Sequence, residues 1–575
     1  MSRFIQLLLS TLFLLWGTTD RATNILRRFQ IEKTQTTGGT WKNWSQNIWY
    51  DGPPGYIKYP KTQEDLKAIL ADAHAKEIPV RASGQQHSQP PQIVPDKRSI
   101  LPSFCNKLKL YVIDMSFYQD IPAGDNNTIV CMKVLSREDT GEAVVAVNAG
   151  TREDALEYFV AEENLALQTV TAGGFFSIGG MTSNDVHGGS IKVGIFADTC
   201  KGFTIMKWDG TILEVHEDDP VRPDGYRPIQ FARVNLGLLG IVTRILVKCN
   251  SRPTKESLEG RMSFVHTTLE QEFVDKFLDF VKHDRLEAFY DPYTGGFMNL
   301  MWDLTPKYDS IGTPNKPAPP KESTEEVALK NHYGAETHGL TRLIQCSCSD
   351  MQNQPSAKLA SIFMGIVMGH IATAQVTSAF SAYSETWLQT SSESIFMSYF
   401  IELPDLGRAG LEKTYRLLKV VTDLVTVDHN FHITGPMEFR FVKAGDSVMA
   451  GTYKKDAGNS DTWYVNLDLI AFLSSTKWHK NPKNYPDKLL DFMARVEREW
   501  YNAGGLPHQG KMYGFFDPTS REGSYSPPFN EDFIKAINQR RDDRDPKARK
   551  AFNNYRKEVD PHNMFLNEYM SKLLS

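Results

Sequence analysis

The sequence predicts an α+β protein of two or three domains, and three observations predict it. The chain has 575 residues, too many for one ordinary hydrophobic core. Helix-period and strand-period patterns interleave through its first half, but without the βαβ rhythm of a doubly wound sheet, and no G-x-G-x-x-G opens a helix. The last third returns to short alternating strands. The composition, 41% hydrophobic and 23% charged, is that of a globular chain. The net charge of -5 argues against a nucleic-acid surface, and no short repeat or long low-complexity tract points to a solenoid or a linker array.

Met1–Arg3 is a short basic start, followed by the apolar run Ile5–Trp16 (IQLLLSTLFLLW). That run has signal-peptide length and falls short of the roughly 20 residues of a membrane span. The following GTTDRA is no clean small-residue cleavage site. Residues 1–22 are therefore expected to be an export signal or an uncleaved anchor, placing the protein in the periplasm, outside the cell, in the secretory pathway or at a membrane. A buried N-terminal helix is the alternative. Six cysteines (Cys105, Cys131, Cys200, Cys249, Cys346, Cys348) are scattered without a CxxC pair, so no metal site is expected and disulfides are optional. Cys346 and Cys348 alternate on what reads as a strand. Asn43-Trp-Ser and Asn126-Asn-Thr are glycosylation sequons if the chain is secreted by a eukaryote.

Thr62–Lys76 reads as an amphipathic helix with Leu66, Ile69, Leu70 and Ala73 on one face, Thr62 as N-cap and Asp65 three residues on. Ile78–Val80 is a strand that runs into VRASGQQHSQPP, a small polar loop with His87 at its tip. As residues alone, that loop suits a surface turn or a cofactor loop. Ala143–Val147 is a buried strand, Glu153–Glu163 a helix, and Ala172–Ser190 (AGGFFSIGGMTSNDVHGGS) a glycine-rich segment. FTIMKWDGTILEV is a hairpin turning at Asp209-Gly210, and Leu236–Val247 reads LGLLGIVTRILV. The stretch 254–435 differs in texture. Asn315–Pro320 (NKPAPP) is an exposed excursion, and Leu359–Ala374 is an apolar helix, too short to span, holding His370 and expected to line or close a pocket, with Ile362 and Ile366 four apart on one face. Met437–Val442 (MEFRFV) alternates, placing Glu438 and Arg440 on one side, and Trp463–Phe472 does the same for Asn466 and Asp468. Gly504–Lys511 reads GGLPHQGK, and VDPHNMFLNEYMSKLL closes the chain.

These pieces fall in the order of a known family. WKNWSQNIWYDGPPGYIKYPKTQEDL, VRASGQQHS, GGMTSNDVHGGS with LGLLGIVTRI, MEFRFV, PHQGK and DPHNMFLNEYM together resemble the aldonolactone oxidase and alditol oxidase branch of the vanillyl-alcohol-oxidase (PCMH-type) FAD flavoproteins. The resemblance covers about 41–253 and 436–575. It implies a two-part FAD-binding domain closed by both chain ends, with an inserted α+β substrate or cap domain: 41–253 for FAD, 254–435 for the cap, and 436–575 completing the active site. It implies FAD, bonded through His87, with Ser83, Gly84, Gln85, Gln86 and Ser88 around it. A second FAD-holding segment would contain Gly179, Gly180, Ser183, His187, Gly188 and Ile241. Successive N–H groups of a tight glycine loop make an anion cradle, which suits the pyrophosphate.

The implied reaction is oxidation of a CH–OH group by hydride transfer to flavin N5. Arg440 and Lys511 are the candidates to stabilise reduced flavin and hold the substrate oxygen, Glu438 to orient Arg440, and His508 to accept a proton or a hydrogen bond. The implied partners are an alcohol or lactone, such as D-arabinono-1,4-lactone, and oxygen or another acceptor. A shallow membrane contact is the one macromolecular association the sequence suggests. Two departures stand out: Asp185 replaces a glycine of the family's T-G-T-H-G, which would put a negative charge near the anionic cofactor, and Gln509 replaces the tryptophan of H-W-G-K, which would make the substrate wall more polar. The large, greasy middle segment leaves room for a sterol as the alternative substrate. A flavin-binding module without catalysis is the non-enzymatic alternative, opposed by the intact set Glu438, Arg440, His508 and Lys511.

Overall fold

The computed structural model describes residues 39–94, 109–124, 128–252, 257–305, 352, 357–378, 394–427, 431–472, 481–519 and 524–575. The N-terminal apolar run, the sequon at Asn126, the Asn315–Pro320 excursion and Cys105, Cys346 and Cys348 lie outside these residues. Three sheets organise the chain. A small parallel sheet has the order β1 (Ile57–Lys58), β3 (Tyr111–Asp114), β2 (Val80–Ser83). Helix α1 (Gln63–Ala75) crosses from β1 to β2. Its first turn closes as a capping box, with Thr62 Oγ1 accepting from Asp65 N–H at 3.1 Å and Asp65 accepting from Thr62 N–H at 3.1 Å. It buries Leu66, Leu70 and Ala73.

The second sheet is antiparallel, with the order β8 (Ile212–His216), β7 (Cys200–Met206), β9 (Ile241–Ser251), β5 (Ala143–Asn148), β4 (Met132–Arg137), and with β6 (Leu165–Leu167) also on β9. Asp209-Gly210 turns β7 into β8, and Gly210 holds φ +76, which a side chain disfavours. Helices α2 (Glu153–Glu162) and α3 (Ile178–Ser183) follow β5 and β6.

The third sheet has the order β10 (Ser257–His266), β12 (Gly296–Thr305), β11 (Arg285–Asp291), β14 (Met437–Lys443), β15 (Trp463–Phe472), β13 (Ser394–Leu403), β16 (Leu506–Pro507). It draws strands from both sides of residue 435, so the cap boundary read from the sequence runs through the sheet rather than beside it. Period-two alternation gives this sheet two unlike faces. On one, Met437, Phe439, Phe441, Leu467, Leu469, Met397 and Tyr399 are buried. Phe439 meets Phe273 and Phe277 of α4 (Glu270–Phe280), Tyr399 meets Trp500 of α7 (Asp487–Asn502), and α6 (Arg408–Val427) packs between them. The other face carries Glu287, Glu438, Arg440, Asp468, Asn466 and Ser398.

Helix α5 (Ala357–Ser378) packs beside those polar residues, with Val367 and Ile371 against Phe289, Met298, Leu300 and Trp302. The helices α8 (Glu531–Arg544), α9 (Ala548–Val559) and α10 (Glu568–Leu574) end the chain. None of the helices among the described residues is long and apolar enough to cross a membrane. Asn43 is buried, with its amide bonded to Asn47 and Ser88 and its carbonyl oxygen to Ile48 N–H, so this sequon offers no accessible acceptor.

Candidate active site

Three remote segments are bound together by one arginine. Arg81, buried on β2, donates to the carbonyls of Leu236 (2.6 Å), Gly237 (3.0 Å) and Phe565 (2.5 Å). Burial pulls its pKa down to about 10, and Asp560 opposes that. The C-terminal tail locks onto the same strand. Asp560 accepts from Met564 and Phe565 N–H, the Met564 carbonyl accepts from Val80 N–H, and Asn567 donates to the carbonyls of Pro91 and Gln92. The tail therefore holds both ends of the loop that carries His87.

That loop opens on a cavity of about 250 Å³ between the second and third sheets. Ser83, Gly84, Gln85, Gln86, His87 and Ser88 line it, as do Gly179, Gly180, Ser183 and His187 from the glycine-rich segment and Glu438, Arg440, His508 and Lys511 from the C-terminal third. Gly188 and Ile241 do not. Gly188 packs against the Val170 carbonyl, and Ile241 turns into the α1 core while its neighbours Gly240 and Val242 face the cavity. The residues of the loop past Ser83 belong to no strand or helix. A Cβ on Gly84 would stand 1.9 Å from Ser177 Oγ, so only glycine fits there. Gln86 holds φ +64, a left-handed conformation uncommon for a side-chain-bearing residue, and its carbonyl accepts from Trp44 N–H. The Gln85 amide is buried with neither its nitrogen nor its oxygen hydrogen-bonded. Leaving such a group unpaired costs about 1–3 kcal/mol, which a polar ligand in the cavity would offset.

The His87 ring stacks on Trp44 (centroids 5.0 Å) and Phe175 (4.8 Å) and meets the edge of Phe176. Burial pushes its pKa well below the ordinary value, and the cations Lys511 and Arg152 add to this, so the imidazole is neutral and nucleophilic.

The opposite wall is charged. Arg440 lies 2.6 Å from Glu287 and 2.7 Å from Glu438. Burial disfavours its charge, but the two carboxylates outweigh burial and hold the guanidinium protonated. Burial raises Glu287 to about 8, against Arg440, and Glu438 pushes it the same way. Glu287 went unrecognised in the sequence because its strand, RLEAFYD, is buried on both faces and gives no alternation to read. Its signal is an acid in an otherwise apolar strand.

Asp185 does not put its charge on the cofactor side. It is fully buried and accepts from Gln509 N–H (2.7 Å) and Gly451 N–H (2.9 Å), and its Oδ1 stands 3.0 Å from His508 Nδ1. It ties the glycine-rich segment to PHQGK. Gln509 likewise turns away from the cavity, donating to the Met449 carbonyl, so it does not make the wall more polar. His508 Nδ1 also lies 2.9 Å from Gly510 N–H. If Nδ1 accepts from Gly510, the ring proton sits on Nε2. If Nδ1 donates to Asp185, Nε2 becomes an acceptor. Burial, with Lys511 adding, keeps His508 well below its ordinary pKa. Lys511 is lowered by burial, while Asp468 and Glu438 oppose that, and its ammonium lies 4.0 Å from the Phe396 ring centroid. Among the described residues no group of acids, histidines and cysteines is arranged to hold a metal.

Comparison with known proteins bears on this geometry. A family described as "FAD binding domain" matches residues 116–216, and one described as "D-arabinono-1,4-lactone oxidase" matches 410–573. The chain is 22% identical over 545 residues to L-gulonolactone oxidase of Scyliorhinus torazame, covering 93% of this chain and 98% of that one. It is 24% identical to the Mus musculus L-gulonolactone oxidase over 46% of this chain, where the match spans only 55% of the mouse protein. It is also 24% identical to D-arabinono-1,4-lactone oxidase of Candida glabrata over 39% of each. The fold is similar to that of a cholesterol oxidase from B. sterolicum, with TM-score 0.65 and 14% identity over 93% of this chain and 96% of that one. The glycine-lined loop and the orphaned Gln85 amide fit an FAD at this cavity. With matches to an FAD binding domain at 116–216 and to D-arabinono-1,4-lactone oxidase at 410–573, the chain is an FAD-dependent oxidoreductase acting on CH–OH donors, similar to the lactone oxidases.

Proposed function

We propose that the protein oxidises a CH–OH group of a sugar lactone or polyol, such as D-arabinono-1,4-lactone, with oxygen as the final acceptor. The observation that carries this reading is the wall of Glu438, Arg440, Asp468, His508 and Lys511 on a single cavity. A polyhydroxylated substrate pairs those groups. An apolar sterol would leave them desolvated and unpaired, which is costly. The sterol oxidase stands only as a distant structural likeness. The relatives named for lactones support the same substrate class.

When bound, the flavin supplies the acceptor for the substrate's hydride. Arg440 and Lys511 place positive charge at the cavity wall, where negative charge is stabilised far more than in water. Glu287 and Glu438 fix the Arg440 fork. His508, neutral through burial, is the proton acceptor for the alcohol when its Nε2 is free. Phe175, Phe176, Trp44 and Phe396 exclude water around the site. His87, neutral and held by aromatic rings, is the residue we assign to the covalent bond with the flavin.

The N-terminal apolar run supports export or anchoring, which cell fractionation of chains with and without residues 1–22 tests. The function itself is tested by aerobic peroxide formation with aldonolactones, xylitol and sterols. Turnover of a lactone or polyol is expected, and turnover of sterols alone would replace this reading with the sterol one.

A further inference from the structure

Helix α8 carries two arginines, Arg541 and Arg544, that have no task in the reaction as described. Among the described residues no carboxylate is within ion-pair distance of either. Both donate to backbone carbonyls instead: Arg541 to Met449 at 2.7 Å, Arg544 to Gly451 at 2.9 Å and to Gly504 at 3.2 Å. Arg541 is only 7% exposed, yet its Nε and Nη2 have no hydrogen-bond partner. A buried guanidinium is expected to have its donors satisfied. The two arginines repel each other, and the attraction of Asp185 reaches Arg541 only from beyond ion-pair distance.

Both arginines line a small cavity, distinct from the one that fits the flavin, beside the loop 448–451. Its volume is about 10 Å³, close to the least that a single water-sized occupant needs. Arg549 lines it too, but Asp542 already holds that side chain at 2.6 and 3.0 Å. With Ala548, Arg549 brings the first turn of α9 to the cavity, and no side chain caps that helix. An uncapped N-terminus is the positive end of the helix dipole and favours a negative occupant. A water would bring no charge and would need acceptors for its own hydrogens. Met449 lines the cavity, but its carbonyl already accepts from Arg541 and from Gln509. A monoatomic anion needs donors alone.

From this convergence we propose that the cavity binds one halide ion, chloride, held by Arg541, Arg544 and the first turn of α9. The ion supplies the counter-charge that the two guanidiniums lack, and the space is too small for phosphate or a sugar. The adjoining loop donates Gly451 N–H to Asp185 and accepts from Gln509 at the Met449 carbonyl. The ion is thus a structural ligand of the loop that pins the PHQGK segment, whichever alcohol the enzyme oxidises.

The test measures unfolding of the flavin-loaded protein, dialysed free of halide, in sodium chloride and in sodium gluconate at equal ionic strength, so that screening is common to both. Crystals soaked in sodium bromide locate the ion by its anomalous scattering. Chloride should stabilise the protein saturably. At a concentration 100 times its Kd it should lower the unfolding equilibrium constant about 100-fold relative to gluconate. Bromide should appear within hydrogen-bonding distance of the Arg541 guanidinium. Arg541→Met, which removes the unpaired donors, and Ala548→Leu, which fills the space and leaves both arginines, should each abolish the difference between chloride and gluconate. A wild-type cavity without bromide overturns the proposal, as does wild-type unfolding that is the same in the two salts. A chloride effect undiminished in either variant overturns it too. If Arg541→Met does not fold, Ala548→Leu and the two wild-type measurements decide, and if neither variant folds, the wild-type measurements decide alone.

Discussion

Arg440 joins the cofactor chemistry to the sheet beneath it. Arg440→Ala should slow flavin reduction by lactone roughly 10²- to 10³-fold, the usual cost of losing one stabilising donor in such a site. Flavin content should hold, because the loop around His87 is built elsewhere. Anaerobic rapid mixing checks the rate, and an unchanged rate would remove Arg440 from the site. Asp185 supplies a prediction with a defined sign. Burial raises its carboxyl from 3.8 to about 6, against the N–H groups of Gly451 and Gln509. The folded state therefore binds the extra proton between those two values. The stabilisation that goes with it is complete below about pH 4 and is lost as pH rises through 6. Asp185→Asn removes this titration, so the stability of the wild type relative to the variant should fall as pH rises from about 4 to 6. Thermal unfolding of both across that range tests it, and a flat difference would contradict it. The sequence exposed Asp185 only as an exception to a family pattern. Its partners, Gly451 and Gln509, lie more than 250 residues away in the chain and leave no local trace.

At the scale of elements, strands with one polar and one apolar face were legible, and the surroundings of an apolar helix were not. MEFRFV and WYVNLDLIAF announce their faces by alternation, and the structure places Glu438, Arg440 and Asp468 together on the cavity side. The helix Leu359–Ala374 invited the expectation that Ile362 and Ile366 line the pocket. In α5 both are about half exposed, and the buried stripe is Ala360, Met364, Val367 and Ile371. A helix apolar all round does not reveal which stripe the protein covers. Ile362→Lys and Ile366→Glu should therefore leave flavin content and KM unchanged and move stability within about 0.5 kcal/mol. Met364→Ala should cost about 2–5 kcal/mol by opening a cavity. Denaturant unfolding separates the two cases, and a raised KM in the Ile variants would restore the lining role.

Across the whole molecule, distant parts of the chain converge on one loop. Residues 39–94 supply Trp44 and His87, and the last turns of the chain clamp that loop through Met564, Phe565 and Asn567. The order of the motifs made this closure readable from sequence. The sharing of the third sheet across residue 435 was not readable, since strand pairing between β11 and β14 depends on residues some 150 positions apart. If His87 carries the flavin, acid precipitation should leave the yellow colour in the pellet, and His87→Ala should release it to the supernatant. Release from the wild type would limit His87 to a non-covalent contact. The most direct measurement of the central claim is anaerobic mixing of the purified flavoprotein with an aldonolactone while its visible flavin absorbance is followed. The lactone should bleach the flavin, air should restore it, and hydrogen peroxide should appear with the restoration. A flavin bleached by sterols and untouched by lactones and polyols would overturn the lactone reading.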